Sequence, residues 1–140
     1  MSRQRTLDLV SLLAPTSCTG AAASVCTAGV NIAPYINPGL REFKVYLEAG
    51  LAVGAPSGSV SVSIFSNSSS TVASASPITG ASFAMVYQPS ATVCTACCGT
   101  QQTIYVKTTQ PYLFCYVVTA GVANWIVAVS ALLEKRNPTS

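Results

Sequence analysis

Hydrophobic and polar positions alternate along most of this chain. Between Glu42 and Glu48, Phe43, Val45 and Leu47 fall on one side, and Glu42, Lys44, Tyr46 and Glu48 on the other. A period of two is that of a strand with one buried face. Ser59 to Phe65 alternates more strictly, with Val60, Val62 and Ile64 set against serines. Further strands are predicted over Thr71 to Ala75, Ala81 to Tyr87, Thr103 to Thr108, Tyr112 to Ala120 and Asn124 to Leu133. Turn chemistry separates them: the polar run Asn67 to Thr71, Pro77 to Gly80, and Gln110-Pro111. The long stretch from Pro89 to Gln102 is expected to be a loop. The last two strands are apolar on both faces, which places each of them centrally in a sheet or under a partner chain. Only Ala120-Gly121-Val122 separates them, so they are expected to pair as a hairpin. Seven or so short strands at about 8–12-residue spacing predict an antiparallel sandwich or barrel.

The first 30 residues read differently. Leu7 to Leu13 carries a weak helical periodicity, enough for one or two turns, and a run of small residues follows from Gly20 to Ser24. Residues 1–30 are therefore expected to be an extended N-terminal arm, and residues 31–140 the β-sandwich domain. Asn31 to Gly39 is an extended piece closed by a Pro-Gly turn. The basic start and short apolar run faintly suggest a signal peptide. Asp8 interrupts the run, however, and Pro15-Thr16-Ser17 before Cys18 is not a lipoprotein cleavage box. No window reaches the roughly 18 unbroken apolar residues of a membrane helix, so no membrane partner is expected.

Composition narrows the function. Half of the 140 residues are hydrophobic and only 8% are charged, against roughly 25% charged in an ordinary soluble domain. A surface so poor in charge is expected to be covered by partners or coated with uncharged Ser, Thr and Ala. The net charge of +3 comes from scattered residues, Arg3, Arg5, Arg41, Lys44, Lys107, Lys135 and Arg136. Polyanion binding needs a clustered basic face, so no nucleic-acid partner is expected. There is no histidine, and the carboxylates are Asp8, Glu42, Glu48 and Glu134. The commonest general base is thus missing. Glu42 and Glu48 share a strand face but stand roughly 20 Å apart, too far to act on one bond. No catalytic activity and no cofactor are expected.

Six cysteines remain: Cys18, Cys26, Cys94, Cys97, Cys98 and Cys115. Cys18 and Cys26 could close a small loop, and the Cys94–Cys98 cluster could pair internally or with Cys115. The redox compartment decides, and fifteen complete pairings are possible. Buried free thiols are the other reading, which suits Cys115 best because it sits in an apolar strand. Cys94-Thr-Ala-Cys97 has the two-residue spacing of zinc ligands, but no second such pair exists, and no metal is assigned. The Gly50–Gly58 stretch lacks the lysine and following helix of a phosphate loop. Trp125 and the tyrosines at 35, 46, 87, 105, 112 and 116 could form a sugar platform, a core or an interface.

The order of these pieces resembles a known family. Asn31-Ile-Ala-Pro-Tyr35 precedes Leu40-Arg-Glu-Phe-Lys-Val-Tyr-Leu-Glu-Ala-Gly50 and then Ser59-Val-Ser-Val-Ser-Ile-Phe65. Late in the chain come Ile104-Tyr-Val-Lys-Thr-Thr-Gln-Pro-Tyr-Leu-Phe-Cys-Tyr-Val-Val118 and Val127-Ala-Val-Ser-Ala-Leu-Leu133. This texture, over roughly residues 30 to 135, resembles the capsid cement (decoration) proteins of tailed bacteriophages. The resemblance implies an all-β, jelly-roll-like sandwich of about seven to eight strands. It implies a structural protein on the outer surface of the capsid, bound to the major capsid protein where subunits meet. A homo-oligomer, most often a trimer, goes with that role. Arg3, Arg5, Leu7, Leu9, Val10, Leu12 and Leu13 are the candidate partner contacts, if the arm reaches a neighbour rather than packing on its own domain. Two alternatives stand beside it. A tail or head-fibre module would expose Trp125 and tyrosines on one face for host glycans, and a secreted pilus-like adhesin subunit would pair all six cysteines.

Overall fold

The computed structural model describes residues 7–18, 24–26, 29–35, 42–51, 58–88, 100–121 and 125–135. They form ten strands: β1 (Leu7–Cys18), β2 (Ser24–Cys26), β3 (Val30–Asn31), β4 (Phe43–Leu51), β5 (Gly58–Asn67), β6 (Ser76–Ser82), β7 (Val86–Gln88), β8 (Thr100–Val106), β9 (Tyr112–Gly121) and β10 (Trp125–Glu134). One sheet runs β1-β10-β4-β8. The other runs β2-β9-β5-β6, with β3 beside β9 and β7 beside β5. β2 and β3 lie along one edge of β9, and β6 and β7 along one edge of β5. Counted as two interrupted strands, they leave eight paths in two antiparallel sheets. The chain alternates between the sheets in the manner of a jelly roll.

The predicted alternation places the core. Val45, Leu47 and Ala49 of β4 and Val60, Val62 and Ile64 of β5 turn inward and are buried. From the two central strands, Leu113, Cys115 and Val117 meet Val127, Val129 and Ala131, all fully buried. Each buried aliphatic side chain contributes about 1.5–3 kcal/mol relative to exposure. Trp125, the one tryptophan, closes one end of this layer with no exposed surface. Among the described residues its indole N–H has no hydrogen-bond partner.

Four local expectations are corrected. First, β9 and β10 do not form a hairpin. β9 pairs with β2, β3 and β5, and β10 with β1 and β4. Each has an inner face that is apolar through its middle, Leu113, Cys115 and Val117 on β9 and Val127, Val129 and Ala131 on β10, with Thr119 the buried polar residue beyond them on β9. Setting the two in opposite sheets buries those faces against one another, which a hairpin within one sheet would not do. Second, Leu7 to Leu13 is not helical. It lies in β1, whose register against β10 slips between Ser11 and Leu13 and again between Leu13 and Thr16. The first irregularity puts consecutive Leu12 and Leu13 both inward, so a bulged strand mimics a helical pattern. The segment expected as an arm therefore supplies the sandwich with its own edge strand, and the boundary at residue 30 does not divide the fold. Third, Thr71 to Ala75 is not a strand but surrounds a 3₁₀ turn at Val72–Ser74. The Asn67 amide holds it by donating to the Thr71 carbonyl at 2.8 Å and to Ser74 Oγ at 2.7 Å. Fourth, Pro77 to Gly80 lies within β6 rather than in a turn, and Thr100–Gln102, expected in a loop, opens β8. Pro77 is tolerated because β6 is an edge strand.

A small second layer covers the outer face of the β9 sheet. Phe114 points away from the main core yet has no exposed surface. Gly29 and the 68–74 turn lie over it: a Cβ added at Gly29 would stand 2.8 Å from Phe114 Cε1 and 3.5 Å from Ser70 Cα. Beside it, Phe65 and Tyr116 stack with ring centroids 5.1 Å apart. Gly29→Ala should therefore destabilise the fold by about 1–3 kcal/mol, since a fully buried ring has nowhere to move. Urea denaturation followed by Trp125 fluorescence measures it, and an unchanged midpoint would mean that the segment over Phe114 yields freely.

Candidate functional site

Four of the six exposed large hydrophobic residues among the described residues, Leu7, Leu9, Tyr105 and Ile126, belong to the β1-β10-β4-β8 sheet and lie on its outer face. Strand register lays its side chains out in rows. Leu9, Leu132, Lys44 and Tyr105 form one row across the four strands, and Ser11, Ser130, Tyr46 and Thr103 the next. Ala128, Glu48 and Gln101 form a third. Leu7 and Leu9 are 56% and 65% exposed, Tyr105 59% and Ile126 44%. Lys44 Nζ sits 6.0 Å from the Tyr105 ring centre, at the outer limit of a cation–π contact. Gln101 Nε2 donates to Glu48 Oε1 at 3.1 Å.

Two features give this face a shape. Among the described residues β1 pairs only with β10, so its far side is an open strand edge, the kind of edge that accepts another strand. Leu9, Ser11 and Pro15 of β1 and Ala128 and Ser130 of β10 line one side of a groove on this face. The groove holds about 510 Å³ and is bounded on its other side by Tyr46, Glu48, Gln101 and Thr103.

The residues picked out from sequence separate here. Leu7 and Leu9 lie exposed on this face, and Val10 is half-buried on the inner side of β1. Leu12 and Leu13 are buried in the protein's own core at 3% and 8% exposure. They cannot touch a partner without unfolding β1. Arg3 and Arg5 fall outside the described residues, as do Cys94, Cys97 and Cys98. Cys18 is a buried free thiol whose backbone pairs with Trp125. Cys115 is buried in β9, and Cys26 lies in β2 opposite Tyr116. Trp125 is core rather than platform. Tyr46 and Tyr105, named from sequence only within the full set of tyrosines, lie on this face with Ile126 and Leu132, which had not been picked out as site residues. The signal was present: each is an apolar or aromatic residue at an outward position of an otherwise alternating strand. Among the described residues no group of three or more His, Cys, Asp or Glu could hold a metal ion.

No protein-family model matches the chain, and no curated protein does. Solved structures share its fold. The PBSX exported protein XepA superposes with a TM-score of 0.52 at 11% identity, over 93% of this chain and 38% of that one. A chain in the structure of the infectious bursal disease virus Gx strain gives 0.50 at 12% identity, over 99% of this chain and 35% of that one. A chain of the Bacillus endospore appendages, disulfide-linked pili, gives 0.46 at 10% identity, over 96% and 93%. At such identities the likeness is one of fold. The chain spans little more than a third of the first two proteins.

Burial gives Cys18 a testable chemistry. Removal from water disfavours the thiolate and raises its pKa above the ordinary 9.0. The folded state therefore holds the thiol proton more tightly than the unfolded chain. The stabilising contribution is full below pH 9.0 and is lost as pH rises through the folded-state value. Stability should fall as pH rises from 9.0 through the folded-state value, and less steeply in Cys18→Ala. Iodoacetamide labelling read by mass spectrometry should find Cys18 protected in the folded protein and reactive in urea. Rapid labelling of the native protein would show that β1 opens readily.

Proposed function

We propose that this protein is a structural component of a virion, bound to the outer surface of a phage capsid where major capsid subunits meet, and that it stabilises the shell. The observation that carries this reading is the outer face of the β1-β10-β4-β8 sheet. It exposes Leu7, Leu9, Tyr105 and Ile126 among small and hydroxylated residues, and it ends at β1, which among the described residues pairs only with β10. Such a surface suits partner binding by apolar burial and by strand addition. The role would be mechanical, with no catalytic step. Binding energy would be shared among many weak, identical contacts. A trimer around a local symmetry axis is the oligomer proposed.

The fold supports the reading without deciding it, because one architecture serves many functions. Jelly rolls are common in viral capsid domains, and the infectious bursal disease virus chain is one solved structure that shares this fold. The alternative, a fibre module binding host glycans, loses Trp125 to the core. It retains Tyr46 and Tyr105 on the outer face.

The test is cosedimentation of the purified protein with capsids that lack it, followed by heating. Saturable binding and a higher bursting temperature are expected. Leu9→Asp should weaken binding about tenfold or more while leaving the melting temperature unchanged, since Leu9 contributes to no core. Leu12→Asp should instead unfold the protein, because it buries a charge. Failure of the native protein to sediment with capsids would remove the proposal.

A further inference from the structure

The groove on the outer sheet face has a composition that a purely apolar contact does not require. One side is small and partly hydroxylated: Ser11, Ala128 and Ser130. Along the other stand a half-buried tyrosine, a carboxylate and an amide, Tyr46, Glu48 and Gln101. The carboxylate and the amide are already aligned by their 3.1 Å hydrogen bond. Tyr105 lies diagonally across from Tyr46, since Lys44 pairs with Tyr105 and Tyr46 with Thr103. Diagonal neighbours in an antiparallel pair are about 7–8 Å apart. Two aromatic rings thus lead toward one set of planar hydrogen-bonding groups.

We propose that this groove is a binding site for a neutral oligosaccharide. A pyranose ring has an apolar C–H face and a rim of hydroxyls. Tyr46, and Tyr105 beyond it, can cover C–H faces, as amphipathic aromatic side chains do at half-wet surfaces. Glu48 and Gln101 can accept from and donate to the rim, with Thr103 and Ser130 adding hydroxyls. The volume, about 510 Å³, lies within the range of small-ligand clefts. Neutrality follows from the balance of Glu48, the one charged residue of the lining, with Lys44, which stands by the Tyr105 ring. The Glu48 carboxylate repels a uronate or sulfate placed beside it. The groove shares Leu9 with the face assigned to capsid contact, so a titration of the protein alone, with no capsid present, tests this proposal independently of that reading.

The experiment is a titration of the isotope-labelled full chain with cellohexaose, maltohexaose and chitohexaose, followed by amide NMR. At least one sugar should shift residues of β4, β8 and β10 around Tyr46, Glu48 and Gln101 while leaving β5 and β9 unmoved. Tyr46→Ala should weaken that binding about tenfold or more, and Tyr46→Phe should keep it within about threefold. If Tyr46→Ala does not fold, Tyr105→Ala replaces it, because Tyr105 is 59% exposed and outside the core. Glu48→Gln should improve binding of a galacturonate oligomer relative to the native protein. No shift at these residues with any of the sugars at about 10 mM overturns the proposal. So does binding that Tyr46→Ala and Tyr105→Ala both leave unchanged.

Discussion

Everything in this protein depends on the face-to-face burial of two central strands, β9 and β10. Leu113, Cys115 and Val117 on one side and Val127, Val129 and Ala131 on the other form the middle of the core. Sheets packed in this way need inner faces of even height and no polar interruption. The middles of both strands meet that demand, with buried Thr119 beyond it on β9, and each strand is flanked by pairing neighbours that add their own inward side chains to the core. β4 and β1 flank β10, while β5 and the β2–β3 edge flank β9. The two strands are adjacent in sequence but lie in different sheets. The chain must therefore cross the sandwich between them, and this crossing is what makes the topology a jelly roll rather than a meander.

Once the sheets are set, the outer faces are free to differ. The β9 sheet is covered on its outside at Phe114, where Gly29 lies against the ring, and Phe65 and Tyr116 stack beside it. The β10 sheet has no such cover among the described residues. Its rows of Leu9, Leu132, Tyr46 and Tyr105 face outward. This asymmetry is the structural basis for assigning partner contact to one side of the sandwich. The irregular course of β1 turns Leu12 and Leu13 both into the core, and β1 also lines the groove beside Tyr46.

The scarcity of charge acts on the same face. Lys44 and Glu48 stand among hydroxyl-bearing and apolar neighbours, with Glu48 held by Gln101 and Lys44 near the Tyr105 ring. Exposed pairs of this kind contribute little to stability. They leave a surface that a partner or a sugar can cover without removing many ions from water, which would otherwise oppose binding.

The alternation of Phe43, Val45 and Leu47, and of Val60, Val62 and Ile64, was enough by itself to specify strands, their inward faces and an all-β sandwich. A half-buried strand imposes a period of two on its sequence, and nothing else imposes that period so regularly. The doubly apolar pattern of the last two strands also marked them as central. Their partners were not legible, because hydrogen bonds of the ladder are the same whichever strand supplies them. Only the need to bury two inner faces against each other chose opposite sheets. The double leucine at 12 and 13 read as helical because a bulge and a helical turn both place consecutive residues on one side. Leu7 and Leu9 were legible as candidate contacts. The meeting of Tyr46, Glu48 and Gln101 was not, since they come from strands distant in sequence whose register brings them to one groove. The sequence determined which residues face in. Long-range pairing, enforced by burial, decided which of the outward residues meet.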